Sequence, residues 1–238
     1  AGITLTDVAL TVSGDGNSPL RVRGQLSSGG GRLDILGNVD ITAGPAVDLT
    51  VKGSDFQAVQ IPEATVLVSP DLRLQGGGPY NLTGTLLIPR AAVEIEEVPS
   101  GTVSVSEDEI IVGEEKAEAA PTGSQNLNAR VRIELGKDVT FKGFGLKTAL
   151  DGDLLATIDA QGTRVDGKIE LRDGEYKAYG QDLKIERGRL LFVGPPGNPG
   201  VDLRAVRESV DGSVKAYLAM SGPLSKPRPR IFSEPSLP

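Results

Sequence analysis

The feature of this sequence that most constrains its fold is the alternation of aliphatic and polar residues at every second position. The clearest run contains Leu127, Ala129, Val131, Ile133 and Leu135, separated by polar and charged residues. Successive side chains of a β-strand point to opposite faces of its sheet, so this period predicts strands with one apolar and one polar face. Similar runs follow along most of the chain, and no dozen residues show the spacing of an amphipathic helix. The sequence predicts an all-β protein with mostly antiparallel strands.

Turn-forming residues separate these runs. Glycine clusters occur at residues 29–31, 76–78 and, with two prolines, 194–197. The pairs Asp151-Gly152 and Asp173-Gly174 lie between apolar runs, where Asp-Gly supplies the positive φ angles of a type I′ turn. We therefore expect a hairpin at each of these two pairs.

A loose repeat places a glycine two residues before an aliphatic residue, followed by a second strand-like run. Its three copies are Gly24 with Leu26, Gly84 with Leu86, and Gly167 with Ile169. The copies are too irregular to impose a fixed period, so they do not predict a solenoid.

Composition argues against several classes of function. The net charge is −7, and the densest basic stretch, Lys226–Arg230, is interpreted as a solvated tail, so we predict no nucleic-acid binding. The chain has no histidine and no cysteine, which removes the common catalytic triads and zinc sites. The nearest carboxylate pair, Asp151 and Asp153, is interpreted as part of a turn. We predict that the chain is not an enzyme and requires no cofactor.

Two folds would use the apolar face. One is a sandwich of two sheets, and the other is a single sheet curled along its length around an apolar trough. Aromatic residues make up only 4% of the chain, with no tryptophan, which is few for a sandwich core of this size. A trough suits acyl chains, because burying about sixteen methylenes contributes on the order of 10 kcal/mol before the cost of ordering the lipid. Alternation alone leaves both folds open.

Residues 165–232 carry a more specific pattern of glycines, aromatics and charges. Its segments are Gly167–Leu171, Gly174–Gln181, Leu183–Phe192, Val201–Ala205, Ser221-Gly222 before Pro227, and the tail Ile231–Pro235. Their order and spacing resemble the C-terminal domain of the TamB family, the translocation and assembly module subunits within the wider AsmA-like group. Weaker similarity extends back to about Leu127, and the first 125 residues resemble the repetitive part of the family that lies upstream.

The resemblance implies a fold, a location and two functions. The fold is a β-taco, one long sheet folded lengthwise around an apolar groove. The location is the periplasm of a Gram-negative bacterium, in a protein anchored in the inner membrane and reaching the outer membrane. The functions are transfer of glycerophospholipids between the membranes and assembly of outer-membrane proteins such as autotransporters. The implied partners are phospholipid acyl chains, the outer-membrane barrel TamA and unfolded outer-membrane proteins.

We divide the chain into an upstream repetitive segment, residues 1–126, and a continuous C-terminal segment, residues 127–238. The first contains an acidic stretch at residues 106–124, predicted to be a mobile loop. The chain begins and ends in the middle of its patterns, so we expect it to be a segment of a longer protein. Because the family continues beyond the final Ser-Glu-Pro, the resemblance implies that the TamA-contacting end is missing.

We favour the lipid function, because aliphatic alternation persists along nearly the whole chain whereas strand addition needs only one edge. The predicted lipid groove consists of alternating apolar residues of the C-terminal segment. These are Val131, Ile133, Leu146, Leu150, Leu154, Ile158, Val165, Ile169, Leu171, Leu183, Ile185, Leu190, Phe192, Leu203, Val214, Leu218 and Met220.

Overall fold

The computed structural model describes residues 2–15, 18–42, 44–95, 126–178, 180–209 and 211–236. Fourteen β-strands form the regular structure of these ranges. The first seven are β1 Thr6–Ser13, β2 Leu20–Ser28, β3 Gly31–Asp40, β4 Ala46–Ser54, β5 Phe56–Ile61, β6 Ala64–Gly76 and β7 Tyr80–Glu94. The others are β8 Leu127–Gly143, β9 Leu146–Asp159, β10 Gly162–Ala178, β11 Gln181–Gly194, β12 Gly200–Glu208, β13 Lys215–Pro223 and β14 Arg228–Glu234. No helix within the described ranges has the length and apolarity needed to span a membrane.

All fourteen strands belong to one sheet. Its order follows the chain from β1 to β14, except that β5 pairs with β6 beside the main path. Every pairing of the described strands is antiparallel apart from β7 with β8, which is parallel. The prediction of one mostly antiparallel sheet is therefore confirmed, and the alternative of two separate sheets is wrong.

The sheet is widest at its centre. Strands β8 and β10 have 17 residues each, whereas the end strands β1 and β14 have 8 and 7. Strand β5 lies off the path because β4 pairs with the second half of β6 and β5 pairs with the first half. The chain bends between β4 and β5 at Asp55, whose φ is +49°, and the neighbouring Phe56 is buried.

The two sides of the predicted domain boundary are joined through β7 and β8. Residues 96–125 lie outside the described ranges, and they include the predicted acidic loop at 106–124. Because β7 and β8 pair directly, the strands before and after this stretch form a single sheet. The division at residues 126 and 127 stays a prediction.

The three glycine clusters lie at turns, but both Asp-Gly predictions are wrong. Gly152 lies in the middle of β9 and pairs with Leu135 and Ile169. Asp173 and Gly174 form a bulge inside β10, where the φ of Asp173 is +50°. An Asp-Gly pair supplies positive φ angles, and these serve a strand kink or a bulge as well as a turn.

The interpretation of Asp151 and Asp153 as turn residues is wrong for the same reason. Both lie within β9, on the face opposite Leu150 and Leu154. Asp151 is 3.4 Å from Arg172 on β10, and Asp153 is 3.1 Å from Arg132 on β8. They form ion pairs with the strands on either side.

Four glycines inside strands share one unusual backbone geometry. At each, φ is strongly positive and a Cβ atom would overlap a carbonyl oxygen of the neighbouring strand. The four pairs of glycine and carbonyl residue are Gly37 with Asp48, Gly84 with Asp71, Gly152 with Lys168, and Gly167 with Asp153. Two of these glycines, Gly84 and Gly167, belong to the loose sequence repeat. Positions of this kind are available only to glycine, and they kink a strand locally.

Candidate functional site

One face of the sheet carries rows of apolar residues that cross many strands. Residues paired directly across neighbouring strands lie on the same face, so the register defines each row. The first row runs through Val12, Val22, Gly37, Leu49, Leu74, Leu82, Ala129 and Ile158. It crosses from β1 to β9 without a polar residue.

Further rows continue this face to the other end of the sheet. One row runs through Ile88, Leu135, Gly152, Ile169, Leu190, Val201 and Gly222. Another runs through Ile185, Ala205, Leu218 and Ile231. Because the first two rows overlap between β7 and β9, the apolar face extends from β1 to β14.

The predicted groove residues can be located on this face. Sixteen of the seventeen lie within strands, and the register puts all sixteen on the face of the apolar rows. The exception, Val214, lies in the turn before β13, where its N–H donates to Ser209 Oγ at 3.0 Å. Ile185 is buried at 7% exposure, and the other sixteen predicted residues are half-buried. Their contact with lipid stays a prediction.

The apolar face is least covered at its two ends. Leu10 and Val12 on β1 are 68% and 54% exposed, and Ile231 on β14 is 80% exposed. The face therefore reaches both end strands as an open apolar surface.

The opposite face is charged and solvated. Ion pairs join neighbouring strands there, such as Lys52 with Asp71 at 3.0 Å. At the far end, Lys215 lies 2.8 Å from Glu208, and its hydrogen bond lowers the pKa of that carboxyl below its usual value. Exposed pairs of this kind contribute little stability individually, but they keep this face hydrated. Among the described residues, no cluster of carboxylates could hold a metal ion.

An aromatic cluster lies on the charged face at the C-terminal end. The rings of Tyr217 and Phe232 stack with centroids 4.9 Å apart, and the Arg204 guanidinium lies 4.2 Å over the Tyr217 ring. The Tyr217 hydroxyl donates to Glu234 Oε2 at 3.2 Å, and the side chain is only 5% exposed. Sequence reasoning missed this cluster. The sequence did contain a signal for it. Tyr217 is an aromatic residue at a position that the alternation assigns to the polar face of its strand, next to Leu218 on the apolar face.

The chain matches a known protein family. The family described as TamB C-terminal domain matches residues 21–238. The chain belongs to the TamB C-terminal domain family. This confirms the resemblance seen in the sequence. The TamB match begins in β2 and so includes most of the predicted upstream segment as well as the C-terminal segment.

One curated relative is much longer than this chain. Over 206 residues, the chain is 34% identical to the translocation and assembly module subunit TamB of Haemophilus influenzae (strain ATCC 51907 / DSM 11121 / KW20 / Rd). The alignment covers 80% of this chain but only 16% of that TamB. The chain therefore spans a small part of the length of the relative that it matches.

Proposed function

We propose that this TamB segment carries the acyl chains of glycerophospholipids along its apolar face. It does so as part of a protein that is anchored in the inner membrane and crosses the periplasm of a Gram-negative cell to the outer membrane. The observation that carries the proposal is the apolar face itself, which continues across the sheet from β1 to β14. Half-buried aliphatic side chains offer many weak contacts and no single strong anchor, so a bound chain can move along them.

The four strand glycines with positive φ, here called the inward glycines, lie on the apolar face and support a sheet that curls around it into a β-taco. Glycine kinks are one of the devices by which β-sheets acquire curvature. Gly152 lies between Leu135 and Ile169 on the apolar face, and Gly167 lies between Leu154 and Phe192. A sheet curled toward these glycines would draw the aliphatic side chains around a groove and shield a bound acyl chain from water.

The lipid function is tested by placing charge on the apolar face. In the double variant Ile169→Glu and Leu218→Glu, a carboxylate replaces an aliphatic side chain in two different rows. Burying an unpaired carboxylate against an acyl chain is costly, so we expect lipid binding to fall by at least roughly tenfold. The measurements are native mass spectrometry of co-purified lipid and photocrosslinking with a phosphatidylethanolamine that carries a diazirine in its acyl chain. Crosslinking equal to that of the wild type would show that the face does not bind lipid.

Strand β11 provides a matched control. Val193 lies on the charged face and is 84% exposed, whereas its chain neighbours Phe192 and Gly194 lie on the apolar face. Val193→Glu therefore adds one carboxylate to the same sheet, but on the opposite face. We expect this variant to retain lipid crosslinking and the far-UV circular dichroism of the wild type.

A second candidate function is the assembly of outer-membrane proteins together with TamA. It is favoured by β1: within the described residues of this segment no strand pairs with its outer side, so the N–H and C=O groups there could accept an added strand. The other end strand, β14, contains Pro229, which has no N–H to donate. Strand β1 has no proline, so it is the better edge for adding an unfolded strand.

Proline substitutions distinguish this function from lipid transfer. Successive N–H groups of a strand point to opposite sides, so either Ala9 or Leu10 directs its N–H away from β2. We expect Ala9→Pro or Leu10→Pro to abolish binding of a peptide that copies an outer-membrane barrel strand, with lipid occupancy unchanged. Undiminished peptide binding by both variants would exclude β1 as the assembly edge.

A further inference from the structure

A hollow lies beside the β8–β9 hairpin and shares only Leu146 with the residues predicted for the groove. Its volume is about 640 Å³, which is within the range of small-molecule sites. The hairpin from Lys142 to Lys147 forms one wall. The other walls are formed by Glu94 at the end of β7 with Ile95 directly after it, and by Glu175 and Lys177 near the end of β10.

The hollow is lined by three lysines and two glutamates, and the lysines are unequally paired. Lys142 and Lys147 are direct cross-strand partners, and like charges at such positions destabilise a strand pair. Lys142 Nζ donates to Glu94 Oε2 at 3.3 Å. Lys147 has no carboxylate within 4.0 Å in the part of the chain that the structure describes, although Glu175 is its partner on β10. Among the described residues, the hairpin therefore holds a lysine with no carboxylate in contact directly opposite another lysine.

Apolar groups lie beside these cations. Phe144, at the tip of the hairpin, is 64% exposed and has a φ of +53°. Ile95 is 39% exposed on the β7 side. Leu146 begins a row that continues through Tyr176 and Leu183 on the apolar face. The hollow is thus at a boundary, with lysines on the charged side and the apolar rows beginning next to them.

We propose that this hollow binds the phosphate group of an anionic glycerophospholipid whose acyl chains lie on the apolar face beginning at Leu146. This inference rests on the proposed lipid function and assigns a headgroup site to it. A phosphate between Lys142 and Lys147 would replace their repulsion with two attractive contacts. Phe144 and Ile95 would contact the glycerol and the first methylenes. An amphiphile fits this position better than a free anion does, because the same hollow presents both kinds of surface.

The test uses dihexanoyl-phosphatidylglycerol below its micelle concentration, with binding measured by isothermal titration calorimetry. The double variant Lys142→Gln and Lys147→Gln should weaken binding by roughly 10- to 30-fold, since each lysine near an anionic lipid contributes modestly. The matched control is Lys52→Gln and Lys168→Gln, which removes two exposed lysines outside the hollow. We expect the control to change the affinity by less than about twofold. Equal losses in both double variants would mean that net charge, and not this site, governs binding.

Inorganic phosphate separates a lipid headgroup from a free anion. The proposal predicts that phosphate alone binds far more weakly than the lipid and that Phe144→Ser weakens only the lipid. Phosphate binding as tight as lipid binding would overturn the assignment. Folding is checked by thermal unfolding. Because Lys147→Gln removes both a like-charge neighbour, Lys142, and an opposite-charge neighbour, Glu175, its melting temperature should stay close to that of the wild type in low salt.

The failure of this proposal can be told apart from the failure of the lipid function. If Ile169→Glu with Leu218→Glu abolishes lipid crosslinking but the lysine variants bind lipid normally, the apolar face carries lipid and the headgroup site is refuted. If neither pair changes lipid binding, both proposals are refuted.

Discussion

Replacing Gly167 with alanine tests whether the inward glycines are required by the sheet. The φ of Gly167 is +138°, a region that residues with a side chain rarely adopt. An alanine Cβ would overlap the carbonyl oxygen of Asp153 and lie 3.0 Å from the Cα of Leu154. Both atoms belong to the backbone of β9, so no side-chain rotation can relieve the clash. The alanine must shift a central strand or change its own backbone conformation.

The expected loss of stability follows from these two costs. A residue held in a sparsely populated backbone region costs about 1–3 kcal/mol, and overpacking adds about 1–3 kcal/mol. We expect Gly167→Ala to lower the free energy of unfolding by about 2–6 kcal/mol. With a urea dependence of about 2 kcal/mol per molar, the midpoint measured by far-UV circular dichroism should fall by roughly 1–3 M.

Gly200 at the start of β12 is the matched control. There an alanine Cβ would lie 3.7 Å from Leu191 Cβ, an ordinary van der Waals distance. Gly200→Ala should leave the midpoint unchanged or raise the free energy of unfolding by up to about 1 kcal/mol, because it restricts the unfolded chain. If the Gly167 and Gly200 variants unfolded at the same urea concentration as the wild type, the kink at Gly167 would not be a structural requirement.

Three other changes have expected outcomes. Tyr217→Ala leaves a cavity under Arg204 and should lower the free energy of unfolding by about 3–5 kcal/mol in urea titration; a loss typical of an exposed residue would contradict the packing of the cluster. Thr148→Val removes the hydroxyl that donates to the Arg172 carbonyl at 2.9 Å, and about 1–3 kcal/mol should be lost; no change would mean that the carbonyl finds another donor. The hydroxyls of Ser209 and Ser213 lower the pKa of Asp211 to about 2, so its stabilisation is present above pH 4 and is lost as the pH falls toward 2. The difference in melting temperature between wild type and Asp211→Asn should therefore narrow over that range, and a constant difference would refute the assignment.

The strands were predictable because alternation persists through them, whereas bulges were not. Ile185 and Leu190 on β11 have opposite parity in the sequence, yet both lie on the apolar face. A bulge between Ile185 and Arg187 inserts one residue and restores the phase. The same happens in β10, where the bulge at Asp173 keeps Leu171 and the later Tyr176 on one side. An analysis based only on alternation would interpret each bulge as the end of a strand.

The hollow at the β8–β9 hairpin could not be predicted from sequence for a different reason. Its central feature is the juxtaposition of Lys142 and Lys147, which depends on the chain turning at Phe144 and Gly145. Gly143 and Gly145 flank Phe144 here, but no Asp, Asn or Pro accompanies them. Asp151-Gly152 carries the stronger turn signal a few residues later, and it lies inside the strand. The nature of the site depends on which of these glycines makes the turn.

The parallel pairing of β7 with β8 shows what selects register in this sheet. In a hairpin, the turn fixes which residues face each other, but a parallel pair is joined by a crossover and has no such turn. Even so, Leu82 pairs with Ala129 and Leu86 pairs with Ile133, so the apolar rows pass through this junction unbroken. A slip by one residue would turn Arg130 or Arg132 toward the apolar face and bury a charge beside aliphatic side chains. The continuous apolar face is therefore a cause of the register at this junction, which explains how the rows cross a change of strand direction without a gap.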